Sequence, residues 1–407
     1  MEIQLACHHC DQIVSIPTLS HGEHAYCPNC HTLLSRTINA RAQKVIALSI
    51  ASLILLFSAL LYPFISFSNQ GLSQTINLLD AAKILFYQDN FFVAALIDIT
   101  IIGLPFVLLT LFIPLHMGAL YVLPKPLSRF CLKTIYYLKP WVMSEIFLIG
   151  VLISMIKIMA MAEITFGLSF WAFSAFVLCY SLTLYYYDSH SLWLQLADQN
   201  KVAIDETLGS RAKNQNLRAC HVCQLLTYDD TCSRCNSKTS VRNTQHIQWV
   251  LAFTITSIIC YIPANFFPIM HTWIFSIDEP STILNGVFTL WQIGSYPIAI
   301  IIFIASICIP IGKLFVLFWL CYLVTKKQHI SRKQVARAYV LIELVGKWSM
   351  IDVFVVVILV SLVQLGVLMS ITIGVGAIFF AIMVITSMIA AQLFDPRLIW
   401  DKKRFSE

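Results

Sequence analysis

Eight apolar runs, each of roughly 18 residues or more, divide this chain and leave its fold few options. They begin near Val45, Phe91, Trp141, Ser169, Ile247, Tyr296, Trp348 and Val375. Placed in hydrocarbon, such a run must satisfy its backbone hydrogen bonds within itself, so each is expected to be a spanning helix. Composition agrees. Of the 407 residues 58% are hydrophobic and 12% charged, with mean hydropathy +0.77, whereas soluble domains carry roughly a quarter charged residues. The N-terminus is polar and rich in Cys and His, and the first run lacks a small-residue cleavage site, so no secretory signal is expected.

The distribution of charge sets the expected orientation. Residues 64–90 hold one basic residue, Lys83, and residues 269–295 hold none. The alternate segments are basic: Lys125, Arg129, Lys133 and Lys139 precede the third run, and Lys326, Lys327, Arg332, Lys333 and Arg337 precede the seventh. Asp188–Arg242 and the tail Arg397–Arg404 are basic as well. The positive-inside rule therefore predicts that both termini and both cysteine-rich segments are cytoplasmic.

The chain also matches itself. At an offset of 205, Cys27 and Cys30 fall on Cys232 and Cys235, Pro63 on Pro268, Leu79 on Leu284, Ala94 on Ala299, and Pro105 on Pro310. At 207, Trp141, Met143, Phe147 and Ser154 fall on Trp348, Met350, Phe354 and Ser361. Gly167, Asp188 and Trp193 then fall on Gly374, Asp395 and Trp400. Repeats of this kind mark a duplicated architecture. The expected fold is an all-α polytopic membrane protein, a tandem duplication of a four-helix transmembrane bundle with a small four-cysteine ribbon before each bundle. The boundaries are a first ribbon over 1–40, a first bundle over 41–195, a linker and second ribbon over 196–243, and a second bundle with its tail over 244–407. An even number of helices per unit makes this a parallel repeat, unlike the inverted repeats of many transporters.

The cysteines fall in two sets, Cys7, Cys10, Cys27 and Cys30, then Cys220, Cys223, Cys232 and Cys235. Each set is two Cys-x-x-Cys turns, and each turn aims two thiolates at one ion, the ligand set of a tetrahedral zinc site. Two zinc ions per chain are expected, with iron or a redox role as the alternatives. Four thiolates close a site, so the metal is expected to hold a small segment folded rather than to catalyse. The remaining cysteines, Cys131, Cys179, Cys260, Cys308 and Cys321, lie singly in or beside the runs and read as packing residues. Lys201, Arg211, Lys213, Arg218, Arg234, Lys238 and Arg242 are scattered without interleaved aromatics, so no nucleic-acid partner is expected.

Ionisable side chains inside spans are costly and mark candidate sites. In the second unit Ser306 and Lys313 share one helical face, and Ser349 and Asp352 open the seventh run. Counted from opposite ends, Lys313 and Asp352 reach similar depth and are expected to pair, with Ser387 at comparable depth and Gln364 further along. The first unit departs from this pattern. Glu145 matches Asp352, but Leu108 replaces Lys313 and Ile101 replaces Ser306, while Asp98 and Lys157 make a pair of their own. Either pair also reads as a buried ion pair that fixes helix register. Loss of polarity in one half suggests that the second half works and the first supports it. Both segments opposite the ribbons start at a proline and run into amphipathic stretches, "TINLLDAAKILF" and "STILNGVFTLW", expected at the membrane surface or against a partner.

Together with "YIPANFFPIM", Pro310 and Lys313, and "GKWSMIDVF" at 346–354, whose first-unit counterpart is "KPWVMSEIF", these features resemble the paraquat-inducible protein A family of Gram-negative inner-membrane proteins. The resemblance covers nearly the whole chain. It implies a lipid-trafficking subunit that works with a periplasmic MCE-domain tunnel protein, moves phospholipids between membranes and guards envelope integrity. It further implies zinc in both ribbons and a transport role for Ser306, Lys313, Ser349, Asp352 and Ser387. The chain holds no G-x4-G-K-[ST] motif, so no P-loop supplies nucleotide energy. Two other readings remain: a zinc-stabilised scaffold that anchors the tunnel protein, and a membrane thiol oxidoreductase built on its Cys-x-x-Cys pairs.

Overall fold

The computed structural model describes residues 3–401 apart from 18, 21, 70–71, 88–89, 160–162, 197–208, 243–244, 275–276, 293, 295, 326–345 and 363–368. The first ribbon is two hairpins, β1 (Ile3–Ala6) with β2 (Ile13–Ile16) and β3 (His24–Tyr26) with β4 (Leu33–Arg36). The first bundle follows with α1 (Arg41–Leu61), β5 (Ile65–Asn69), β6 (Leu72–Ile76), α2 (Asp80–Tyr87), α3 (Phe91–Asp98), a π-helical turn (Ile99–Gly103) and α4 (Leu104–His116). It continues through α5 (Ala119–Val122), α6 (Lys125–Leu138), α7 (Ser144–Met159), β7 (Glu163–Phe166), α8 (Leu168–Tyr186) and α9 (Ser189–Gln195).

The second ribbon carries β8 (Arg218–Ala219) and β9 (Leu226–Thr227), then α10 (Gln245–Phe266), β10 (Met270–Ile274), β11 (Ile277–Ser281), α11 (Ile283–Gln292) and α12 (Tyr296–Phe303). After a second π-helical turn (Ile304–Cys308) come α13 (Ile309–Thr325), a 3-10 turn (Gly346–Met350), α14 (Ile351–Leu362), β12 (Met369–Ile373) and α15 (Val375–Leu393).

Among the described residues, seven helices are long and apolar enough to cross a membrane: Arg41–Leu61, Phe91–His116, Lys125–Ile156, Leu168–Tyr186, His246–Phe266, Ala299–Val324 and Val375–Leu393. The eighth apolar run, from near Trp348, is helical over Ile351–Leu362, and its continuation at 363–368 lies outside the described residues. The chain is mostly helical, and besides the ribbon hairpins the bundles themselves depart from an all-α fold. At the end opposite the ribbons each unit builds a three-stranded antiparallel sheet, ordered β6-β5-β7 and β11-β10-β12. Ile65 pairs with Ile76 and Phe166, and its counterpart Met270 pairs with Ser281 and Ile373. The third strand of each sheet comes from about a hundred positions further along the chain, so no local pattern announces it. The amphipathic stretches keep helices α2 and α11, each entered from a strand.

Proline and glycine fix these corners in both units. Tyr62 precedes Pro63 and is extended (φ −105°, ψ 162°), which ends α1. The chain then returns so closely that a Cβ on Gly167 would stand 2.0 Å from the Pro63 carbonyl oxygen, and one on Gly374 would stand 2.2 Å from that of Pro268. Only glycine fits either approach.

Helix α1 packs along α8 and α4, and α10 along α15 and α13. The two units meet where α7 lies against α14. Phe147 and Phe354, equivalent in the repeat, stack edge to face with centroids 5.6 Å apart. Gly150 admits Phe354 by leaving its Cβ position 3.0 Å from that of the ring-bearing residue, and the Ser154 hydroxyl donates to the Val355 carbonyl at 3.3 Å. A contact between equivalent residues is what a two-fold relation between the units would produce.

Candidate functional site

The four cysteine turns are built alike. Within each, the amide of the first cysteine donates to the carbonyl five residues on, and the residue four on donates back, at 2.8–2.9 Å: Cys7 with Asp11 and Gln12, Cys27 with His31 and Thr32, Cys220 with Gln224 and Leu225, and Cys232 with Asn236 and Ser237. Asp11, His31, Gln224 and Asn236 take left-handed φ of 62°, 58°, 61° and 58°. This tight reversal turns both thiols of each Cys-x-x-Cys to one side. The four sulfurs of each set lie within 4.8 Å of one another, with Cys7–Cys30 and Cys10–Cys27 at 3.5 Å and Cys220–Cys235 and Cys223–Cys232 at 3.4 Å. A tetrahedral ion with Zn–S bonds of about 2.3 Å spaces its sulfurs by about 3.8 Å, so the donors fit a metal. In the first set burial pushes the Cys27 thiol up to about 11 and hydrogen bonding to Cys7 raises Cys10 further, whereas in the second set hydrogen bonds from Cys220 and Cys223 lower Cys232 to about 6. Neither set draws on a histidine.

The ribbons sit crosswise on the bundles. Cys7, Cys10 and Cys27 share a core with Val250, Leu317, Leu320, Ala390, Phe394 and Trp400, all of the second unit. The second ribbon lies on the first bundle, where Arg129 donates to the Ser233 carbonyl at 3.3 Å and the Tyr136 and His221 rings meet at 6.2 Å.

The second candidate site is inside the second bundle. Pro310, like Pro105, has no N–H, and a π-helical turn precedes each. Near Pro105 the freed carbonyls are capped: Met143 N donates to Thr100 O at 3.5 Å and the Ser144 hydroxyl to Ile101 O at 3.2 Å. Ile351 replaces Ser144 in the second unit, and Ser306 replaces Ile101. Ser306 is fully buried, its hydroxyl donating to Ile302 O at 2.7 Å. Two turns on, Lys313 is 4% exposed, and its Nζ donates to the Gly346 carbonyl at 3.3 Å. Gly346 makes room for it, since a Cβ there would lie 3.2 Å from Nζ. Ser387 is buried on α15, bonded to Val384 O at 2.8 Å.

The side chains of Ser349 and Asp352 lie outside the described residues, as do those of Gln364 and Lys157, so the expected pairs are left as expectations. Beyond Ser306, toward the sheet end, opens a small apolar cleft lined by Ile283, Gly286, Ile302, Ser306, Val355 and Leu359 among others.

The first unit packs rings at positions where the second carries mostly smaller side chains. Phe64, Phe147, Phe170, Phe173, Phe176 and Tyr180 are buried and stacked with centroids 5.5–6.4 Å apart. Their counterparts are Ile269, Phe354, Ala377, Phe380, Met383 and Ser387. Sequence reasoning found the changes at Ile101 and Leu108 but missed this loss of aromatic bulk, although the same 207-residue offset carries it.

A family profile for paraquat-inducible protein A matches residues 42–197 and again 247–404, one match per bundle. The chain belongs to the paraquat-inducible protein A family. It is 38% identical to "Intermembrane transport protein PqiA" of Escherichia coli K12 over 99% of this chain and 97% of that protein. It is 28% identical to "Probable intermembrane transport protein" of Haemophilus influenzae over 97% and 95%. With "Lipophilic envelope-spanning tunnel protein A" of E. coli K12 it shares 27% identity over 97% of this chain and 90% of that protein. No solved structure matches the chain.

Proposed function

We propose that this protein is the inner-membrane subunit of an intermembrane lipid transport system, not an enzyme, and that its second bundle handles phospholipid. The observation that carries this reading is the juxtaposition in α12–α13 of a buried lysine and an apolar cleft. Lys313 stands seven residues from Ser306, about 10 Å along the helix, with the cleft beyond. A buried cation suits a phosphate, and an apolar cleft suits acyl chains. The names carried by the relatives support intermembrane transport.

In this reading the chain spans the membrane eight times, α14 and its continuation making the seventh span. Both termini and both ribbons face the cytoplasm, as the basic segments require. Zinc occupies both cysteine centres, a periplasmic MCE-domain tunnel protein receives the lipid, and the unit boundaries fall near 40, 195 and 243. Ser306, Lys313 and Ser387 line the route, with Ser349 and Asp352 at its cytoplasmic side. A cytoplasmic position for both ribbons leaves the thiol oxidoreductase without periplasmic substrates.

The test is a set of alanine variants. Lys313→Ala or Asp352→Ala alone strands a buried charge, typically at a cost of about 3–5 kcal/mol. The double variant strands neither, and Leu108 fills the Lys313 position in the first unit, so the bundle is expected to insert at normal levels. It should nevertheless fail to restore detergent resistance to a strain lacking its own system. Full restoration by the double variant would remove the pair from the transport route and favour the scaffold.

A further inference from the structure

The ribbon that precedes the first bundle is built against the second, and the joint between them is polar and buried. Asp11, at the left-handed corner of the first cysteine turn, is 1% exposed. Its Oδ2 accepts from Arg242 Nη2 at 2.7 Å and from the Lys213 amide at 3.1 Å, and its Oδ1 lies 3.9 Å from Arg397 Nη1. Arg242 leads into α10 and also holds Asp401 at 2.5 and 2.8 Å, so one guanidinium ties the ribbon to both chain ends of the second bundle. Lys213 reaches Asp401 as well, at 3.1 Å, and Arg211 donates to the Trp400 carbonyl. The main chain adds Ile13 N to Ser210 O at 2.9 Å, Gly209 N to Ile13 O at 3.1 Å and Ala212 N to Asp11 O at 3.0 Å. In the second ribbon the corresponding corner is Gln224, a neutral residue.

We infer that the first cysteine centre is a lock on the second bundle: its metal fixes the turn that presents Asp11, and Asp11 holds the ends of α10 and α15 in place. The lock needs only metal in that centre and is independent of what the bundle transports. A metal organises the turn because all four thiolates must converge before the ion binds. Without it the turn loses the left-handed corner that aims the carboxylate, and Arg242 is left buried beside Asp401 alone. Asp11 is thus a positioning residue. Metal loss in the first ribbon should loosen the second bundle, and metal loss in the second ribbon should not.

Cys321 reports on this directly. It is 3% exposed and lies in the core shared by the first ribbon and the second bundle. Full-length protein in detergent is treated with N-ethylmaleimide, each cysteine is followed by mass spectrometry, and metal is measured in the same samples. Cys7→Ser with Cys10→Ser should lose one metal equivalent and label Cys321 about tenfold faster, a local opening. Cys220→Ser with Cys223→Ser should lose the other equivalent and leave Cys321 near its native rate. Asp11→Asn should keep both metals and still speed labelling of Cys321, which a purely metal-holding ribbon would not do. Cys179, in α8 of the first bundle, controls for global unfolding and should keep its native rate in the Asp11→Asn protein. Protection of Cys321 after loss of the first centre would overturn the inference, as would equal exposure on loss of either centre or native protein that binds no metal.

Discussion

The two units share a backbone and differ in what fills it. Their sheets pair in the same register, their π-helical turns precede equivalent prolines, and their glycines 167 and 374 approach equivalent carbonyls. Inside that common frame one bundle is closed by six stacked rings and the other holds a buried lysine and a cleft. The difference separates two demands that a single bundle would have to meet together. A well-packed apolar core supplies stability; a polar, partly empty one gives it up. The first unit meets the former demand and, through α7 against α14, props the second.

Loss of metal should give the largest effect and should break the comparison at the ribbons. About two zinc ions per chain are expected, one per closed set of four thiolates. Since metal binding contributes folding free energy, Cys220→Ser with Cys223→Ser should halve the metal and sharply lower the amount of membrane-inserted protein. Iron, with a visible absorption band, would overturn the zinc assignment.

Next comes exchange of the fillings. Phe170→Ala in the first unit should cost about 3–5 kcal/mol, because the rings around it cannot collapse fully into the space. Ala377→Phe with Ser387→Tyr writes the first unit's residues into the second. If the two frames are equivalent, that variant should melt near or above the native protein and lose detergent resistance in cells. A variant that melts lower and still protects would show that the second bundle does not need its smaller side chains at 377 and 387 to work.

Gly167→Ala and Gly374→Ala should then cost about the same as each other, on the order of 1–3 kcal/mol, since each Cβ meets a backbone oxygen that cannot move aside alone. Unequal costs, read from thermal melts, would mean that the two corners bear different loads.

Much of this was legible in the sequence, for physical reasons. The cysteine spacing dictates convergent thiols because a Cys-x-x-Cys turn has one compact conformation, and Cys7 to Cys30 and Cys220 to Cys235 converge as expected. The apolar runs dictate helices, and Lys313 and Ser306 stand on the buried face that their spacing predicts. What the sequence hid was long-range. Phe166 pairs with Ile65 across the whole first bundle, and neither strand has enough alternation to be seen alone. The crosswise seating of the ribbons was equally hidden, because Asp11 and Arg242 are ordinary surface residues until the fold buries them.

The smallest expected effect is a pH dependence at one pair of equivalent positions. Both bundles end in an Asp-capped turn: Asp188 accepts from the His190 amide at 3.0 Å, and Asp395 accepts from the Arg397 amide at 3.0 Å. The capped residues are equivalent, but only the histidine titrates near neutrality. Burial lowers the pKa of His190, the nearby Asp188 partly opposes this, and Arg234 adds to it. Both ring nitrogens are buried without a hydrogen-bond partner among the described residues. The folded state therefore favours neutral imidazole, while the unfolded chain takes up a proton at about pH 6.5. Stability from this residue is present above that pH and is lost as pH falls below it toward the lowered folded value. In the second unit the equivalent Arg397 is held by Asp395 at 2.8 Å. Acidification should thus loosen the end of the first bundle through a group that the equivalent position of the second lacks. His190→Phe should reduce the difference between melts taken at about pH 7.5 and at about pH 5.5, the remainder coming from the other histidines with lowered pKa, His8, His9 and His221, and from the cysteine centres. That contribution is measured by repeating both melts with the metal content followed. An unchanged pH dependence in His190→Phe, with metal retained, would place the titrating group elsewhere.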